Sequence, residues 1–111
     1  MMVIYLTQDS GFNFSSLLKV SENIVVVANR DCPLFGDPSD HIDKIKQALK
    51  HFDVKNDIFV PAGDPINISI ISHILLKKGG ELGIKYMKWD RASSVYVPVT
   101  IKINDNENKK E

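Results

Sequence analysis

The sequence predicts an α/β domain, a small three-layer, Rossmann-like arrangement with a mostly parallel sheet and a C-terminal antiparallel hairpin. Three observations predict it. Continuous apolar runs, Ile24 to Ala28 and Ile58 to Val60, have the composition of strands covered on both faces. Between and after them lie stretches whose apolar residues recur every three or four positions, the period of a helix packed on one side. Two of those stretches open on Gly-Asp-Pro, at 36–38 and 63–65, where an aspartate can cap a helix and a proline suits its first turn. The implied order is β-α-β-α-β-α-β-β. Alternation of this kind builds a parallel sheet with helices on both faces, and right-handed crossovers gather the loops after each strand along one edge.

Val3 to Leu6 is short and rich in β-branched and aromatic residues, so it starts the sheet. Ser10 or Asn13 can cap a short helix through Phe14, Leu17, Leu18 and Val20. After the strand at Ile24 to Ala28, Pro33 breaks the chain into a loop. A helix follows Gly36-Asp37-Pro38, with Ile42, Ile45, Ala48, Leu49 and Phe52 at helical spacing, acids early and lysines late. The next strand, Ile58 to Val60, leads into a helix from Pro65 to Lys78 that Gly79 and Gly80 stop. Within that helix Ile66, Ile68 and Ile70 alternate with Asn67 and Ser69 in the manner of a strand, but the cap, the length and the glycines favour helix. Ile84 to Trp89 and Ser94 to Ile103 form the hairpin, with Pro98 suited to an edge strand. Residues 1–103 make one domain. From Asn104 to Glu111 nothing apolar remains, so a disordered tail is expected there.

Lysine plus arginine and aspartate plus glutamate both number 14, for a net charge of zero among 111 residues. A nucleic-acid binder needs a basic excess to neutralise phosphates, so no such partner is expected. A neutral surface resists self-association poorly, and a homo-oligomer is expected. Cys32 is the only cysteine, which excludes an internal disulfide. The first apolar stretch is too short for a signal peptide and no run is long enough to span a membrane, so a cytoplasmic location is expected.

In an open α/β sheet, ligands bind outside the carboxyl ends of the strands. The first strand delivers Gln8, Asp9 and Ser10 there. The second delivers Asn29, Arg30 and Asp31; the third Gly63, Asp64 and Asn67; the fourth Trp89, Asp90 and Arg91. The candidate ligand set is Asp9, Ser10, Asn29, Arg30, Gly63, Asp64, Asn67, Trp89 and Arg91. Arg30 and Arg91 can grip an anion, and Trp89 can stack a ring. The competing readings are structural: Asp37 and Asp64 as helix caps, the arginines paired with Asp31 and Asp90, Trp89 packed against the sheet. No glycine-rich phosphate loop is present.

Cys32 has no histidine with a claim to activate it. His41 and His51 lie on the charged helix, where solvent is their natural setting. His73 shares a helical face with Ser69, Ser72 and Leu76, a small-residue stripe suited to a subunit interface. No orienting carboxylate or oxyanion site accompanies that serine and histidine, so no catalytic residue is assigned. The spacing of histidine, cysteine and acids fits no metal site, and no cofactor is implied.

Gly63-Asp64-Pro65-x-x-Ile68, Tyr86-Met87-Lys88-Trp89-Asp90-Arg91 and Tyr96-Val97-Pro98-Val99 resemble small uncharacterised α/β proteins encoded by bacteriophages. The resemblance covers the second half of the chain and brings no catalytic residues. It implies a phage accessory protein in the host cytoplasm, acting on a host protein or sequestering a small molecule. The lack of a catalytic constellation, the neutral charge and the wide apolar arc of Ile66, Ile70, Ile71, Ile74 and Leu75 lead to the expectation of a non-enzymatic binding module. The alternative is an enzyme or receptor for a nucleotide-like phosphate ligand, worked by Asp9, Arg30, Asn67 and Arg91.

Overall fold

A computed structural model describes residues 2–8, 17–29, 31–33 and 35–103. Among them are five strands, β1 (Ile4–Leu6), β2 (Ile24–Val26), β3 (Ile58–Val60), β4 (Ile84–Asp90) and β5 (Val95–Ile101). Two helices are described, α1 (Ser39–Ala48) and α2 (Pro65–Gly79). The expected tail, and all but the end of the helix expected before Val20, lie outside the described residues. Leu17 and Leu18, at that end, are helical.

The sheet order is β2-β1-β3-β4-β5. β1 pairs in parallel with β2 and with β3, β3 pairs in parallel with β4, and β4 and β5 form the antiparallel hairpin. The chain moves outward from β1 to β2, then returns past β1 to β3 and on to β4. Right-handed crossovers made in opposite directions fall on opposite faces. α1 and α2, which follow β2 and β3, therefore share one face. There Tyr5, Phe59 and Tyr86 from the sheet meet Ile45 of α1, Leu49 at its C-terminal cap, and Ile71 and Leu75 of α2. On the other face Ile4, Leu6, Ile58, Val60 and Met87 are buried with Leu17. β1 and β3 are thus covered on both sides, which is why their sequences are continuously apolar, whereas β4 exposes Lys85 and Lys88.

α2 settles the isoleucine alternation. Asp64 caps it, its carboxylate accepting the Ile66 N–H at 3.4 Å. In helical geometry the buried row is Asn67, Ile71, Leu75 and Gly79, four residues apart, while Ile66 is exposed. Gly79 does not stop the helix as expected. It is the last helical residue, and a Cβ there would stand 2.8 Å from Ile84 Cδ1, so a bare backbone lets the helix end meet β4. Gly80, with φ of 53°, provides the stop. α1 also starts slightly later than expected: Pro38 precedes its first turn, and Asp37 accepts hydrogen bonds from the Ser39 amide and hydroxyl. The Ser39 hydroxyl, then its amide, hold the Asp37 carboxyl below the ordinary carboxylate range.

β5 is the outer strand, and Pro98 sits in it where a missing N–H costs no ladder bond to a further strand. Ser94 turns the hairpin with φ of 56°. No helix of the described residues is long and apolar enough to cross a membrane.

Candidate functional site

In this strand order the topological switch point lies between β1 and β3, and their carboxyl ends define the crevice where ligands bind in open α/β sheets. A side chain of the protein occupies it. Thr7 first ties the two strands together, accepting the Ala62 N–H at 3.1 Å on its hydroxyl. The next residue, Gln8, is buried and lies against Gly63 so closely that a Cβ on Gly63 would come within 2.4 Å of Gln8 Cγ. Gly63 also has φ of 113°, a conformation that side chains disfavour. The glycine of the second Gly-Asp-Pro therefore serves both the turn and the approach of Gln8.

From Gln8 a chain of polar side chains runs sideways. Its Nε2 donates to Asp31 Oδ1 at 3.0 Å. Its Oε1 accepts from the Asp64 backbone N–H at 3.2 Å and from Asn67 Nδ2 at 3.0 Å. Asn67, fully buried, meets His41 Nε2 through Oδ1 at 2.6 Å. Asp64 Oδ2 accepts the Cys32 N–H at 2.9 Å, fastening the loop after β2 to the start of α2.

The direction of every bond in this chain follows from its ends. A carboxylate only accepts, so the Gln8 atom facing Asp31 is the amide nitrogen. The Gln8 oxygen then faces Asn67, which must donate, and the Asn67 oxygen is left to accept from His41. Neutral His41 therefore carries its proton on Nε2 and keeps Nδ1 as an acceptor.

His41 also lines a cavity of about 530 Å³ between the end of β2 and the first half of α1. Its apolar floor includes Val27, Ala28 and Ile45. Its polar rim carries Asn29, Asp37, Asp40, His41 and Lys44. Among the described lining residues the charged groups are two carboxylates and the cation of Lys44, beside the second ring nitrogen of His41 and the Asn29 amide. Among the described residues no group of histidine, cysteine and acids could hold a metal ion.

The residues expected at the strand ends separate in space. Asn29, Gly63, Asp64 and Asn67 gather around Gln8 and the cavity. Asp9, Ser10 and Arg30 lie outside the described residues. Trp89 and Arg91 belong to the hairpin, which extends past the end of β3: with Phe59 paired to Tyr86, the last residue of β3, Val60, falls level with Met87, and β4 runs three residues further. Trp89 is 40% exposed and packs edge-on against Tyr96, ring centroids 5.0 Å apart. Arg91 lies in the exposed turn. Of the expected interface, Ser69 and His73 are exposed, whereas Ser72 and Leu76 are half-buried and Leu76 packs on the core.

One expectation is overturned. His41 does not sit in solvent but is half-buried, because the first turn of α1 passes beside Asn67 of α2. Gln8, at the end of the first strand, has a role that its sequence position alone does not reveal. Its signal was a long polar amide directly after a buried strand, with a glycine on the neighbouring loop.

The fold and crevice define a small doubly wound α/β domain whose switch point is sealed by its own glutamine and whose open cavity lies one strand to the side. A family model for phage Pam3 gp32-like proteins matches residues 7–103, and the chain belongs to this family. The match extends beyond the second half, where the sequence resemblance rested. Comparison with curated proteins and with solved structures finds no match.

Proposed function

We propose that this phage protein is a non-enzymatic binding module that holds a small molecule bearing N–H donors in the cavity beside His41. The observation that carries this reading is the acceptor-rich rim over an apolar floor. A cavity of about 530 Å³ has the size of a small-ligand site. Asp37, Asp40 and His41 Nδ1 offer acceptors to an amine, an amidine or the exocyclic amine of a nucleobase, and Val27 and Ile45 offer an apolar bed for its carbon frame. His41 Nε2 is engaged by Asn67, which suits an imidazole held in place for recognition. Sequestration of such a molecule inside the infected bacterium is the corresponding role.

A nucleotide-like phosphate ligand is the second reading, supported by Lys44 on the same rim. The aspartates count against a bare anion there, since they repel it.

The test begins with a native mass spectrum of freshly purified protein, set against the denatured mass. A mass carried only in the native state identifies the ligand class. Titration calorimetry with adenosine, which carries an exocyclic amine, and with inorganic phosphate then separates the two readings. Asp40→Asn should weaken binding of an amine-bearing ligand by roughly tenfold or more, the worth of one charged hydrogen bond. Binding of phosphate alone, or equal affinity in Asp40→Asn, would overturn the proposal in favour of the anion.

A further inference from the structure

The second helix has a wider apolar arc than one sheet contact uses. Ile71 and Leu75 meet the sheet, but Ile70 and Ile74 turn towards α1 and are half-buried. Together with Ile42 of α1 they floor a groove between the helices, formed by two adjoining cavities of about 420 Å³ each. The cavities share Lys46, His73 and Ile74, so the groove is continuous.

Its charge is one-sided. α1 and α2 each follow a strand of the parallel part of the sheet, so they run in the same direction and end at the same side of the molecule. Lysines in both last turns therefore converge. Lys46 stands on one wall, Lys77 and Lys78 on the other, and Lys78 Nζ donates across to the Lys50 carbonyl at 3.3 Å. Each lysine also complements the dipole of its own helix. Side by side, the helices add an apolar floor between the two rows. Among the described residues lining the groove there is no carboxylate, although acids and bases balance over the whole chain.

We propose that this groove docks an acidic amphipathic segment of a partner protein, its aliphatic side chains on Ile42, Ile70 and Ile74 and its carboxylates against Lys46, Lys77 and Lys78. Charge complementarity selects this occupant. Two copies of the groove would set lysines against lysines, and the chain's own last residues, 104–111, carry no apolar side chain to reach the floor. Amphipathic segments lying in apolar grooves are a recurrent mode of recognition. The proposal does not depend on the cavity beside His41.

The test uses fluorescence anisotropy with a labelled peptide of glutamates that carries leucine at every third or fourth position. Binding is expected, weakened at least tenfold in the Lys46→Glu, Lys77→Glu double variant and at least tenfold when the leucines become serine. Both lysines are exposed, so the double variant should keep its circular dichroism spectrum and melting temperature. Unchanged affinity in that variant would overturn the proposal. Equal binding of the leucine-free peptide would do the same by reducing the groove to a charged surface. Light scattering and phosphatidylglycerol vesicles complete the set: a dimer abolished by the double variant would assign the groove to a second copy, and binding to vesicles but not to peptide would assign it to a lipid surface.

Discussion

The two ends of the sheet both bury polar groups, and they do so differently. At the amino end Asp57, only 3% exposed, precedes β3 and spends both carboxylate oxygens on backbone. Oδ1 accepts the Val3 N–H at 2.9 Å and Oδ2 the Asp53 N–H at 2.8 Å. Tyr5 and Phe52 close over the region, ring centroids 4.9 Å apart. Burial, then the Asp57 charge, pushes the Tyr5 phenol above its ordinary range. At the carboxyl end Gln8, Asn67 and His41 bond chiefly to one another's side chains, beside an open cavity. Backbone bonds pin strands and loops in one arrangement. A side-chain relay can be re-ordered without moving a strand, so changes at the first end should cost stability and changes at the second should alter recognition.

The sharpest way to break this contrast is Asp57→Ala. It leaves two backbone N–H groups without their acceptor and should cost about 3 kcal/mol, read by urea denaturation, with ligand affinity unchanged. A loss below about 1 kcal/mol would show that water replaces the carboxylate and that the amino end is no anchor.

Gly63→Ala comes next. The added methyl collides with Gln8 and strains a positive φ, so a loss of roughly 2 kcal/mol is expected. The displaced Gln8 should also disturb the His41 environment, visible in its ring resonances. A stable variant with an unaltered His41 signal would separate the turn from the relay.

Asn67→Ala tests the relay itself. About 1–2 kcal/mol should be lost. In the native protein, two-bond proton–nitrogen correlation of His41 should report the Nε2-protonated tautomer, and the variant should lose that preference. The opposite tautomer in the native protein would reverse the inferred donor direction and remove His41 Nδ1 from the cavity's acceptors.

The smallest effect belongs to the hairpin. The Ser93 hydroxyl holds the Asp90 carboxyl below the ordinary carboxylate range. A depressed folded value means the contribution is present above the unfolded carboxylate range and is lost as pH falls through the folded value. Ser93→Ala should raise the Asp90 titration midpoint, followed by carboxyl-carbon NMR, with no measurable change at neutral pH. An unmoved midpoint would show that backbone amides, not Ser93, hold the turn.

Much of the architecture was legible along the chain. The buried strands announce themselves because coverage on both faces demands continuous apolar runs, as at Ile58 to Val60. Asp64-Pro65 marks the start of α2 because capping is local chemistry. Ile66, Ile68 and Ile70 looked strand-like because alternation is read over a few residues, whereas the four-residue row of Asn67, Ile71, Leu75 and Gly79 appears only once the helix is wound. The candidate site was half legible. Asn29, Gly63, Asp64 and Asn67 were placed at strand ends by topology alone, and the structure groups them. Trp89 and Arg91 were placed there too, but a strand's overhang depends on register, which the sequence of β4 does not state.

The sequence by itself determined the element types, their order and the hairpin, because caps, periodicity and turn residues act over a few neighbouring positions. Only the tertiary structure decided that Gln8 seals the switch point, that His41 leaves solvent to meet Asn67, and that the lysines of two helices face each other across isoleucines. Those contacts join residues 23 to 59 positions apart, and bonds of that span form only when crossovers and packing bring separate elements together.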